Sequence, residues 1–356
     1  MSKHGLLHFT PIYKSKVWGG TALADLFGRD LPAKDIGESW ELSDRGADTN
    51  TAAKPDPIAG ASFRQLIAGD PDYILGKRAH ARWGKDKFPL LVKFIHARED
   101  LSVQVHPPDP YAQKHEQEYG KAECWVILHV EKGARIQRGL KPGVTKKQFA
   151  EALRQGAVES LLHYFTPKPG DVLALPTGVV HAIGAGIVLA EIQQNSDVTY
   201  RVFDYNRPGL DGKPRPLHVE KALDVTGFDK YGDEFGDERD LRADTVTPQI
   251  LRDTDYHGLI EERLATGSRF SLSRVYLQPG RHRQVRPPAK SKPAAYEVHE
   301  TCEVWMLLKG SGEVGVNNLP GIPATAGQTF LVPGGEPSAW LLPKEPVTLL
   351  RAIPAG

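Results

Sequence analysis

One short phrase occurs twice in the chain. Gln104-Val105-His106-Pro107-Pro108 recurs as Gln284-Val285-Arg286-Pro287-Pro288. Nineteen residues after each glutamine, a glutamate opens an apolar run, Glu123 in ECWVIL and Glu303 in EVWMLL. Further on, Gly170 to His181 (GDVLALPTGVVH) aligns with Gly327 to Ser338 (GQTFLVPGGEPS), each with proline six residues after glycine. Equal spacing and a shared Gly/Pro register argue against coincidence, so the chain reads as two copies of one unit. From glutamate to proline the first copy takes 53 residues and the second 30. The excess is about the length of the helical-looking stretch 141–163. Within it, TKKQFAEALRQGAVESLLH (145–163) offers Thr145 as a cap, Phe149 and Leu153 at i,i+4, and Gly156 as a break. The first copy is therefore the repeat with a helical insertion.

The repeat itself reads as β. Thirty-five glycines and 28 prolines punctuate many short apolar runs, which suits short strands joined by tight turns. The reading is a mainly β chain in three parts: 1–227 with the insertion, an acidic, apolar-poor linker at 228–245, and a second unit at 246–356. Before the first copy lie a short helical pattern at Leu23, Leu26 and Phe27 and a strand, IGESWELSD. A helix follows from Ser62 to Leu75 with Ser62 as its cap, and then an apolar strand, Phe88 to His96, interrupted by Lys93.

Composition removes several classes. A formal charge of +1 gives no electrostatic reason to expect nucleic acid or a membrane as partner. No window approaches the ~18 apolar residues of a spanning helix, and the first residues lack the apolar core of a signal peptide. Cys124 and Cys302, the two cysteines, cannot form a disulfide framework, so a reducing cytoplasm is expected. The oligomeric state is left open.

The chemistry concentrates in Leu101–Leu128. Side chains alternate along a strand, so Val103 and Val105 take one face and Gln104 and His106 the other; Lys121, Glu123 and Trp125 likewise share a face. Polar groups aimed into a half-buried sheet need partners or a metal. Imidazole with carboxylate is a set that zinc accepts, with a position left open. The repeat says which copy holds it, because His106 aligns with Arg286 and His181 with Ser338, and of His106, Glu123 and His181 only the glutamate keeps its type, as Glu303. An amide oxygen is a poor zinc ligand, so Gln104 is either a fourth ligand or a neighbour of the ligands. By composition alone Trp18 and Glu38 read as packing plus a surface charge, and Arg201 as an ordinary surface arginine. His115, His129, His163 and His218 have no pattern that lifts them above surface or structural residues.

Several motifs resemble those of the type I mannose-6-phosphate isomerases of the short bacterial kind: WGG (18–20), GESWELS (37–43), PLLVKFIHAREDLSVQVHP (89–107), KAECW (121–125), PTGVVHAIGAG (176–186) and YRVFDYNR (200–207). The resemblance covers nearly the whole chain and implies a tandem cupin fold, two jelly-roll-like β-barrels. It implies an isomerase interconverting mannose 6-phosphate and fructose 6-phosphate through an enediol(ate), with one Zn2+ in the first barrel. It places the metal ligands at His106, Glu123, His181 and Gln104. Arg201 matches the family's catalytic arginine, and Lys121 and Glu191 join it as catalytic candidates; Trp18, Glu38, Lys93 and Ser102 match substrate-pocket positions. Arg201 suits either a developing enediolate or a phosphate, and Lys93, Lys121 and Ser102 are phosphate candidates. The base is not named; a metal-bound water or His96 are further options. The alternatives are a non-catalytic bicupin that binds sugar phosphates, and an iron-dependent cupin oxygenase, which usually asks for more imidazoles.

Overall fold

The fold comes from a computed structural model that describes residues 4–228, 231–235, 244–254, 259–279, 283–286 and 300–356. Two compact units result: Tyr13–Trp40 with Val92–Val246, and Met1–Ile12 with Glu41–Leu91 and Thr247–Gly356. These differ from the expected division at 1–227, 228–245 and 246–356. The physical reason is strand pairing. Leu7–Thr10 pairs with Thr329–Val332 of the C-terminal copy, and Thr51–Lys54 pairs with Leu7–Thr10, so early residues are drawn into the later unit. Of the expected acidic linker, residues 229–230 and 236–243 lie outside the described residues, as do Pro287-Pro288 of the repeat. What is described of it is anchored. Thr177 Oγ1 donates to Glu234 Oε1 at 2.7 Å, and His163 Nε2 lies 2.7 Å from Asp244 Oδ1.

The unit of Tyr13–Trp40 and Val92–Val246 holds two sheets. One runs, in order, Val172–Leu175, Glu123–Val130, Ile187–Gln194, Leu90–Ala97, Ile36–Leu42, Ile12–Gly20. The other runs Leu162–Phe165, Ile136–Leu140, His181–Ile183, Val103–Val105, Tyr200–Phe203. Alternation decides which face does what. Val103, Val105, Val180, Ala182, Tyr200 and Val202 point outward from the second sheet and are buried with Phe149, Val158, Ala222 and Val225. Those partners come from the Lys146–Gln155 helix, the short 3-10 turn Val158–Leu161 and the Val219–Val225 helix. Each aliphatic side chain so buried contributes about 1.5–3 kcal/mol. A one-residue slip would move all of them to the polar face, so the register is fixed. The same constraint turns Gln104, His181 and Arg201 to the other face, between the sheets, where Trp18, Ile95, Trp125, Leu173, Ile183 and Leu189 form a second core.

The expected helix at 145–163 is present as Lys146–Gln155, capped by a Thr145/Gln148 capping box and ended by Gly156 at φ 67°, a conformation glycine adopts without strain. Its second half is the 3-10 turn, and the chain is back in a strand by Leu162. Ser62 caps Phe63–Gly69 as expected; Asp70 and Pro71 then start a separate turn, Pro71–Ile74.

The other unit repeats this frame. Its larger sheet contains Thr329–Val332, Glu303–Lys309, Val347–Pro354, Phe270–Leu277 and Leu259–Thr266, in the positions held by the first five strands above; here Thr329–Val332, Glu303–Lys309 and Val347–Pro354 neighbour one another as Val172–Leu175, Glu123–Val130 and Ile187–Gln194 do. Its smaller sheet places Ser311–Val316, Ala339–Pro343 and Arg283–Arg286 as Ile136–Leu140, His181–Ile183 and Val103–Val105 are placed. Register refines one alignment. Gln104 stands opposite His181, while Gln284 stands opposite Trp340, so Trp340 rather than Ser338 is the positional counterpart of His181. The fold is mainly β and of the cupin type, built from antiparallel pairings with few helices.

Candidate metal centre and active site

His106, Glu123 and His181 come together, all buried, with one donor atom from each within 4.8 Å of the others. Three neighbouring strands deliver them: His106 just past Val103–Val105, His181 opening the strand paired with it, and Glu123 opening its strand on the facing sheet. His106 Nε2 is 3.2 Å from Glu123 Oε1, and His181 Nε2 is 3.8 Å from Glu123 Oε2. Each imidazole hands its other nitrogen to the backbone. His106 Nδ1 meets Val198 O at 2.9 Å, and His181 Nδ1 meets Val179 O at 2.8 Å. A carbonyl only accepts, so both Nδ1 atoms carry protons and both Nε2 lone pairs face the carboxylate, the arrangement metal-binding histidines adopt. Burial, and then the Lys121 ammonium, push His106 down to about 3; burial also lowers His181. Both are neutral, as ligation requires. Burial opposes ionisation of Glu123, but the Lys121 ammonium holds it well below the usual carboxylate range.

The cluster fits a divalent ion. Bonds of about 2.0–2.1 Å in a tetrahedral shell set ligand atoms about 3.3 Å apart; the two imidazole–carboxylate pairs stand at 3.2 and 3.8 Å and all three donors within 4.8 Å. Glu123 Oε1 is buried and makes no aligned hydrogen bond, although Lys121 Nζ lies at 3.0 Å. Two lone-pair nitrogens beside an anionic oxygen repel one another unless a cation joins them. The Gln104 amide ends 3.5 Å from His181 Nε2, within reach of the same point.

The remaining sequence-derived residues line one adjoining cavity of about 260 Å³: Trp18, Glu38, Lys93, Ser102, Gln104, Lys121, Glu191 and Arg201. Its wall is a chain of charges. Trp125 Nε1 donates to both Glu123 Oε2 (3.1 Å) and Glu191 Oε2 (2.8 Å). Lys93 Nζ sits 2.9 Å from Glu191 and 3.7 Å from Glu38. Lys16 and the Trp40 indole also hold Glu38. Burial disfavours charge on both Glu38 and Lys93, yet Lys16 and then Lys93 keep Glu38 below its ordinary value, and Glu191 and then Glu38 keep Lys93 above its own. Glu191 goes the other way, pushed up to about 6 by burial and by the Glu123 carboxylate. Lys121 Nζ is also 3.4 Å from His106 Nε2. Arg201 Nε donates to Ser102 Oγ at 3.2 Å and Nη1 to Pro216 O at 3.1 Å.

Sequence reasoning missed Lys16, Asp197, Thr199, Arg215 and His218, all of which line the cavity. Lys16 was within reach, since it sits two residues before Trp18 on one strand and so shares its face. Arg215 and His218 come from the irregular stretch after Phe203, where no period exists to read. His96, weighed as a base, is absent from the lining; its Nδ1 accepts from Ala22 N at 3.2 Å. Cys124 is buried and free, its thiol pushed up to about 12 by burial, and is no nucleophile.

This chain resembles known proteins. A family model described as phosphomannose isomerase type I, catalytic domain, matches residues 6–121. The chain is 42% identical over 220 residues to the probable mannose-6-phosphate isomerase GmuF of Bacillus subtilis, covering 62% of this chain and 67% of that protein. The chain belongs to the type I phosphomannose isomerase family. It is also 40% identical over 220 residues to mannose-6-phosphate isomerase ManA of Bacillus subtilis, with 62% and 67% covered. The crystal structure of a mannose 6-phosphate isomerase from Bacillus subtilis superposes with a TM-score of 0.81 at 28% identity, covering 98% of this chain and 99% of that one. Membership places this chain's cupin-type fold and its His/Glu/His cluster in a family of isomerases, and no helix among the described residues is long and apolar enough to cross a membrane.

Proposed function

We propose that this protein is a zinc-dependent isomerase interconverting mannose 6-phosphate and fructose 6-phosphate. The observation that carries the reading is the gathering of eight candidate residues around one cavity beside a metal-type cluster formed by the other three, in a chain of this family. Aldose–ketose interconversion moves a proton between C1 and C2 through an enediol(ate). It needs a proton carrier near those carbons, stabilisation for the oxygens and an anchor for the phosphate.

His106, Glu123, His181 and Gln104 would hold the metal, which when bound polarises the sugar's oxygens as a Lewis acid. Glu191 is the proton carrier. It is buried, its pKa of about 6 lies near neutrality, and its Oε1 makes no aligned hydrogen bond although Lys93 stands 2.9 Å away. Lys121 stands beside the ligands and supplies a positive charge where the enediolate oxygens form. Trp18, Glu38 and Lys93 shape the wall on the far side of Glu191. Arg201, tied to Ser102 and Pro216, is the cation that faces substrate without a carboxylate within 4 Å among the described residues, and it receives the substrate's charged end.

A coupled assay on mannose 6-phosphate tests this. Activity should vanish with a chelator and return with Zn2+. Full activity in metal-free protein, or none in zinc-loaded protein, would reject the reading.

A further inference from the structure

The polar row His181–Gln104–Arg201 crosses three adjacent strands, each residue directly opposite the next. His218 extends it. Its backbone N–H donates to Arg201 O at 2.8 Å, and its Nδ1 accepts from Arg201 N at 3.3 Å. A backbone N–H only donates, so Nδ1 must be unprotonated and the neutral ring carries its proton on Nε2. Burial, then Arg201 and Lys221, lower His218, in keeping with a neutral ring. Nε2 bonds no protein group among the described residues, and the ring lines the cavity. Arg215 is placed alongside. Its Nε and Nη2 bind Asp204 at 2.7 and 2.5 Å, which leaves Nη1. Arg207 binds the same Asp204 through Nε and Nη2 and reaches Glu99 at 3.8 Å with Nη1, so Asp204 is shared between two guanidiniums. Asp197, which lines this cavity along with Glu38 and Glu191, is felt by Lys93.

We propose that Arg215 and the Nε2–H of His218, together with Arg201, form the seat for the substrate's phosphate; this rests on the isomerase reading. Length supports it. Strands lie about 4.8 Å apart, so Arg201 stands roughly 10 Å from the His181 strand, and the His218 ring folds back over it. An extended chain covers about 1.2 Å per bond, so the seven bonds from C1 to phosphorus in an open hexose 6-phosphate span about 8 Å. With C1 and C2 at the metal cluster, the phosphate reaches Arg201, Arg215 and His218. Lys121, 3.0 Å from Glu123, is too near the cluster for that task, and Lys93 is spent on two carboxylates.

Two substitutions separate this from a role in merely holding the strand. In His218→Gln the amide nitrogen replaces Nε2–H, while in His218→Asn the amide oxygen replaces Nδ1. A phosphate donor requires that Gln keep KM for mannose 6-phosphate and the competitive inhibition constant of inorganic phosphate within a few-fold. Asn should raise both by roughly 10- to 100-fold with kcat changed far less and zinc content intact. Arg215→Ala should raise the same two constants. A strand-holding role gives the reverse order, with Asn tolerated and Gln impaired, and overturns the proposal, as does equal KM in both. Calorimetry with inorganic phosphate on the zinc-loaded protein reads the seat apart from catalysis. Phosphate binding in the order wild type and Gln above Asn would uphold it even if mannose 6-phosphate is not turned over. Isomerase activity with phosphate binding indifferent to both substitutions would overturn it alone.

Discussion

Trp125 bridges two buried carboxylates to which the proposed function gives different jobs, and Trp125→Phe isolates that bridge. The indole N–H lies 3.1 Å from Glu123 Oε2 and 2.8 Å from Glu191 Oε2, with the whole side chain buried. Phenylalanine keeps an aromatic ring on the strand and removes the shared donor. A hydrogen bond to a charged group is worth about 1.5–3 kcal/mol. Loss of a partner that orients a metal ligand commonly costs 10- to 100-fold in metal affinity, or roughly 1.4–2.8 kcal/mol, so the two estimates agree. The other unit supplies the control, because Trp305 Nε1 donates to Glu303 Oε2 at 2.9 Å in the corresponding place. Trp305→Phe removes an equivalent bond and equivalent volume where no imidazole pair stands. Chelator competition should show zinc held about 10- to 100-fold more weakly in Trp125→Phe and unchanged in Trp305→Phe, with activity on mannose 6-phosphate falling in the first at limiting zinc. Equal affinities in both variants and the parent would refute the reasoning, as would an equal drop in both.

Further outcomes are expected. His106→Ala should lose metal and activity together; full zinc by elemental analysis in that variant would contradict its place among the ligands. Arg201→Ala should raise KM by roughly 30-fold or more, the cost of truncating a charged partner, with Arg201→Lys recovering part; a 100- to 1000-fold fall in kcat at unchanged KM would assign it to the enediolate instead. Because His106 and His181 are held below the ordinary 6.5, the unfolded chain binds more protons than the folded one below about that pH. Stability should therefore be full above 6.5 and fall as the pH drops toward His106's value of about 3, by at most about 1.4 kcal/mol per pH unit for each imidazole; denaturant titrations showing stability flat from pH 7 to 5 would count against buried neutral imidazoles. Arg351→Leu should cost about 3–5 kcal/mol by removing the guanidinium from buried Glu303 and Glu261, with Glu303→Gln restoring part; denaturant unfolding within 1 kcal/mol of the parent would show that those carboxylates do not depend on it.

The strands around the site were legible because their alternation is strict. Val103 and Val105 against Gln104 and His106 decides a face without knowledge of what lies beyond it, and the Gly/Pro register fixes where His181 falls. The part taken by residues 1–12 and 41–91 was not legible. Leu7–Thr10 pairs with Leu331 and its neighbours more than three hundred residues away, and an edge pairing of that separation leaves no local trace. His218 was missed for a similar reason. Its role depends on a hydrogen bond to the free edge of the Arg201 strand, and nothing in LHVEK announces that bond. The helical insertion was legible at its start, where Thr145 and Gln148 close a capping box, and less so after Gly156, where a single 3-10 turn and a strand carry apolar residues at spacings that also suit a helix.

The two copies solve one electrostatic problem in different ways. In each, a glutamate opens the strand inside the sheet pair and an indole two residues later donates to it, which fixes the carboxylate and leaves its charge to be met. Strand register then shows where the solutions part. Glu191 stands opposite Trp125, whereas Arg351 stands opposite Trp305. Arg351 grips both oxygens of Glu303, Nε and Nη2 each at 2.7 Å, and reaches Glu261 at 3.1 Å with Nη1. The guanidinium fork and the Trp305 indole together engage both oxygens of Glu303, and the cation meets its charge. With glutamate at that position instead, Glu123 keeps an oxygen without an aligned donor, and two imidazoles arrive in place of apolar or unlike residues. The same frame is thereby closed by its own cation in one unit and left open for a metal and a substrate in the other.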